Sequence, residues 1–61
     1  MNAVILGFVV VERINNGPKE KHVVVSRRYT VRSAAEIFAQ LLHKHCPGIY
    51  YVRDVVGDEN D

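Results

Sequence analysis

The chain has 61 residues, a formal net charge of +1 and one cysteine, with 48% of its residues hydrophobic. This length sets a single domain near the lower limit for a self-sufficient core, about 3–5 kcal/mol of net stability unless a staple or a partner adds to it. One cysteine excludes an internal disulfide, and no stretch reaches the roughly 20 apolar residues of a membrane span, so the expected setting is cytoplasmic with no membrane contact.

The first element is an apolar run, Ala3–Ile14, greasy at odd and even positions alike. A strand apolar on both faces belongs at the centre of its sheet or is covered on both sides. Gly7 interrupts the run, either as a β-bulge or as simple small-residue packing. A bulge would exchange the faces of the residues on one side of it.

Asn15–Glu20 reads as a six-residue turn, because Asn and Gly accept positive φ and Pro18 has no N–H to give a ladder. Lys21–Tyr29, rich in β-branched residues, returns as the second strand of a hairpin. This places Val10 opposite Val25 and Leu6 opposite Tyr29. Leu6, Phe8, Val10, Val25 and Tyr29 then share one face. Ile5, Val9, Val11 and Val24 occupy the other, with Arg13, His22, Ser26 and Arg28 around them.

Ser33–Glu36 has the spacing of a capping box, opening a helix that runs to about His45. Its expected apolar stripe is Ala34, Ile37, Phe38, Leu41 and Leu42. Pro47 and Gly48 end it. Ile49–Val56 is a third strand, and Asp58–Asp61 an acidic tail expected to fray. The resulting fold class is α+β: a ββαβ domain over residues 1–57, with a three-stranded antiparallel sheet in the order 2-1-3 and the helix on one face. Arg53 and Asp54 suit an edge strand, where charge discourages further pairing.

One helix covers one sheet face only. The other, with Ile5, Val9, Val11 and Val24 at its centre and Arg13 and Arg28 at its rim, is expected to be an interface, through which the chain forms a homodimer or meets an unidentified protein partner. The corresponding function is that of a small non-catalytic, regulatory protein-binding module, an adaptor or inhibitor. Small chains of this order are common among phage and mobile-element accessory proteins.

The second reading is nucleic-acid binding. Residues 1–57 hold eight basic against four acidic side chains. Lys19, Lys21 and His22 sit around the hairpin, and Arg27, Arg28 and Arg32 lead into the helix. Arg28, Arg32 and the amides near Ser33 form a candidate phosphate site. Tyr29, Tyr50 and Tyr51 are candidate stacking residues, although no RNA-binding motif spacing is present.

Catalysis and metal binding find little support. His43 and His45 project about 160° apart on a helix and do not chelate one ion together. Cys46 follows a helix C-terminus, where the dipole raises rather than lowers a thiol pKa, and no placed acid orients His45. Cys46 is expected to be a small buried hydrophobe. Neither an enzyme activity nor a metal or other cofactor is expected.

Overall fold

The computed structural model describes residues 3–58. Four elements follow one another: β1 (Ala3–Asn16), β2 (Lys19–Val24), α1 (Arg32–His45) and β3 (Ile49–Asp58). They form the expected ββαβ arrangement, an antiparallel three-stranded sheet in the order β2-β1-β3. Asp58 closes β3 by pairing with Ala3 rather than starting a tail; the expected tail beyond it, Glu59–Asp61, lies outside the described residues. No helix among the described residues is long and apolar enough to cross a membrane.

The hairpin keeps the expected register but turns more tightly. Asn16 pairs with Lys19, leaving Gly17 and Pro18 as the whole connection. Gly17 adopts φ +67°, the positive value that a two-residue hairpin requires at its first central position. Asn15 and Asn16 are therefore strand residues. At the other end, Val25 N–H still donates to the Val10 carbonyl at 2.9 Å, but the ladder then breaks. Val10 N–H donates to Ser26 Oγ at 2.8 Å in place of a backbone carbonyl, and Ser26 Oγ donates on to the Arg27 carbonyl. This side-chain substitution lets the chain loop out by two residues. Pairing resumes where Phe8 and Tyr29 exchange two 2.7 Å hydrogen bonds. Tyr29 thus faces Phe8, not Leu6.

Gly7 sits at a β-bulge. Ile5 pairs with Val56 and Gly7 with Val55, so Leu6 is the extra residue on β1. Partners across a ladder share a face, and β3 alternates without interruption. Ile5 accordingly lies on the helix side with Val56, while Leu6 turns to the opposite side, against Gly57. Both placements reverse the expectation for these two residues.

The core lies between the sheet and α1. Val10, Ala35 and Ala39 are buried, with Phe8, Val25, Tyr29, Phe38, Leu42, Tyr50 and Val52 packed around them. The helix is turned roughly 80° from its expected orientation: Ala35, Phe38, Ala39 and Leu42 face inward, while Ile37 and Leu41 are 59% and 50% exposed. Small Ala35 and Ala39 let the helix settle closely onto a floor already filled by aromatic rings. The Ser33–Glu36 capping box does not form. Val31 is the N-cap with no side-chain bond, and Glu36 instead accepts from Arg32 Nε at 3.1 Å. At the other end, extended backbone at Cys46, imposed by Pro47, stops the helix as expected.

Candidate interaction surfaces

The sheet face away from α1 was expected to be bare, and at its centre it is not. Val9 and Val11 are 7% and 0% exposed within a single chain. Their cover comes from side chains of the flanking strands. His22 on β2 lies opposite Arg13, and Tyr51 on β3 lies opposite Val11. His22 Nδ1 and Tyr51 Oη share a 2.8 Å hydrogen bond, with the rings edge-on at 5.8 Å. Because β1 runs between these two strands, the bond crosses over it. Glu20 extends this strap: its carboxylate takes His22 Nε2 at 3.3 Å and Arg13 Nε at 3.2 Å. Arg53 lies opposite Val9. The aliphatic stem of Arg28 lies against Gly7, where a Cβ would meet its Cγ at 2.6 Å.

Of the residues expected at an apolar interface, Val24 alone fits the description, exposed on that face. Val9 and Val11 are covered, Ile5 is exposed on the opposite side, Arg13 is paired, and Arg28 packs on the bulge. The shielding was hard to read because it depends on long side chains of neighbouring strands reaching across the central one.

Exposed apolar surface gathers elsewhere. α1 packs over β1 and β3 and leaves β2 uncovered. Val23, which shares the helix-side face through its pairing with Glu12, is therefore open. Phe38 turns toward Tyr29 on the β2 side, with ring centroids 6.2 Å apart, and Leu41 follows it on the same flank of the helix. Leu41 and Val23 thus border an open step between helix and hairpin, and Ile37 is exposed on the outer face of the helix. Two or three apolar side chains grouped in this way are what a single-layer cover of helix leaves behind.

The opposite flank of α1 is polar and tied to β3. Arg32 Nη1 reaches Asp54 Oδ1 at 3.3 Å, and its guanidinium lies 6.0 Å from the Phe8 ring. His43 Nε2 donates to the Tyr50 carbonyl at 3.3 Å and meets the Tyr50 ring edge-on. Partial burial holds the Tyr50 phenol above its ordinary range, reinforced by the charges of Glu12 and Cys46.

The basic residues of the candidate anion- or nucleic-acid-binding cluster do not form one patch. Lys19 and Lys21 stand at the hairpin end, opposite Asn16 and Ile14. Arg28 is beside Gly7 at the far end, roughly 25–30 Å away along β1. Arg27 stacks on Tyr29 at 5.7 Å, and Arg32 is engaged by Glu36 and Asp54. Ser33 lies inside the first helical turn rather than at its cap. Cys46 is exposed, not buried. Among the described residues no group of three or more His, Cys, Asp and Glu side chains is arranged to hold a metal ion. No protein-family model, curated protein or solved structure matches the chain.

Proposed function

We propose that the chain is a small non-catalytic protein-binding module that acts as a homodimer, in a reducing compartment such as the cytoplasm, where its exposed Cys46 thiol stays free. The observation that carries this reading is the balance of apolar side chains. Val9, Val10, Val11, Ala35 and Ala39 form the buried set, whereas Ile5, Leu6, Val24, Ile37, Leu41 and Val56 are among the large side chains left exposed. A core this small draws a large share of its stability from whatever else it binds. The step bordered by Leu41 and Val23, with Ile37 on the outer helix face, is the surface offered to a partner protein, whose apolar side chains would complete the second layer over β2.

The test is affinity capture from the source cells with wild-type bait and with an Ile37→Asp/Leu41→Asp double variant. Both side chains are at least half exposed, so the variant is expected to fold and to keep its helical circular dichroism. A partner retained by the wild type and lost by the folded variant supports the reading. The same proteins retained by both, or retention released by moderate salt, would move the function to another surface or to nucleic acid.

A further inference from the structure

We infer that the sheet face away from α1 binds single-stranded nucleic acid, with Arg28, Arg53 and Arg13 on its phosphates and Tyr51 against a base. This is a further function on the other side of the sheet from the helix–hairpin step, so it stands or falls separately from the protein-binding reading.

The groups follow one another at every second residue of β1. Arg28 lies beside Gly7, whose missing side chain leaves the space that the arginine stem fills. Arg53 and Tyr51 on β3 stand opposite Val9 and Val11, and Arg13 comes next on β1 itself. Alternate residues of a strand share a face, so these four levels are about 7 Å apart. The phosphates of an extended nucleic-acid strand repeat at a similar spacing. A strand laid along β1 therefore meets a guanidinium at three levels and an aromatic ring at the fourth.

The charges are open to a ligand. Arg28 and Arg53 are exposed and have no ion-pair partner among the described residues. Arg13 gives Glu20 its Nε alone, at 3.2 Å, which leaves its Nη groups for a phosphate. By register Glu20 is the one carboxylate on this face among the described residues; Glu12, Asp54 and Asp58 fall on the helix side. All three cations are arginines, whose planar guanidinium grips phosphate through two parallel hydrogen bonds and also stacks on flat rings. Tyr51 is ordered in advance. Its hydroxyl is held 2.8 Å from His22 Nδ1 across β1, and the ring stays partly exposed. An aromatic side chain already fixed loses little freedom when a base packs on it. With α1 on the other side of the sheet, this face has no helix to enter a duplex groove, so the strand it fits is a single one.

Fluorescence anisotropy with labelled oligodeoxythymidine and oligouridine of about ten nucleotides tests this, the two probes reporting which sugar the face takes. Three phosphate contacts should make affinity fall about twentyfold between about 50 and about 200 mM salt, and Arg53→Gln should reduce that fall to about sevenfold. Tyr51→Leu keeps an apolar cover over Val11 and should weaken binding at least about fivefold. If Tyr51→Leu does not fold, amide shifts of the wild type decide: Val9, Val11, Tyr51 and Arg53 should move on adding either oligonucleotide, and α1 should not. No binding of either probe at about 100 µM chain and about 50 mM salt overturns the proposal. So does a salt dependence unchanged in Arg53→Gln, amide shifts centred on α1, tighter binding to duplex than to single strand, or equal competition by polyglutamate, which would make the ligand an acidic polypeptide.

Discussion

Gly7→Ala is expected to leave most of the chain unfolded at 25 °C. A Cβ built on Gly7 would meet Arg28 Cγ at 2.6 Å and the Tyr29 carbonyl oxygen at 2.7 Å. The arginine stem can move aside. The carbonyl cannot, because it accepts the Phe8 amide in the bridge that closes the chain onto β1 ahead of the helix. The backbone at Gly7 has φ +157°, in a region that side-chain-bearing residues rarely adopt. Strain and overpacking together cost about 2–4 kcal/mol. That is comparable to the whole net stability of a domain of this length. Urea titration followed by circular dichroism measures it. A midpoint equal to the wild type would show that Gly7 has room for a side chain and that the bulge is misplaced.

Val11→Asp should be as damaging, while Val24→Asp should be nearly silent. The two valines are direct cross-strand partners on one face, yet Val11 is fully buried and Val24 is 48% exposed. An aspartate at position 11 would sit unpaired beneath the His22–Tyr51 bond, at a cost of several kcal/mol. At position 24 it reaches water, and a change within about 0.5–1 kcal/mol is expected. The contrast separates cover within one chain from cover by a second copy. Were the face shielded by dimerisation, both variants would shift the melting temperature together, and the shift would depend on concentration. Thermal melts of the two variants at two widely separated concentrations decide between these outcomes.

Elements whose signal is local were legible in the chain. The doubly apolar β1 pointed to the central position, the Pro47-Gly48 stop fixed the helix end, and β3 followed as the other edge. The registers failed where a single side chain or an extra residue intervened. Ser26 Oγ replaces a carbonyl in the ladder, and Leu6 bulges at Gly7; neither substitution alters the pattern of apolar residues that carries a strand prediction. Parity was accordingly wrong for Ile5 and Leu6, whereas Tyr29 kept its expected face and changed only its partner, from Leu6 to Phe8. The helix misled in another way. Periodicity counts Ile37 and Leu41 as core because they are apolar, but contact with the sheet is decided by the space left over Phe8, Tyr29 and Tyr50, which favours Ala35 and Ala39. The capping box failed because the helix begins at Arg32 with Val31 as its N-cap, so Ser33 and Glu36 are not at the N-cap and N3 positions, and Glu36 pairs with Arg32 instead. The candidate interface inherited these errors, since it was built from face assignments. The exposed surface followed the helix rotation to Ile37 and Leu41.

The central claim is self-association, and sedimentation velocity across concentrations from about one to about one hundred micromolar tests it most directly. The 6.9 kDa chain is predicted to shift toward twice its monomer mass within that range, with a melting temperature that rises with concentration. A monomer mass at every concentration, with a concentration-independent melt, would contradict the homodimer.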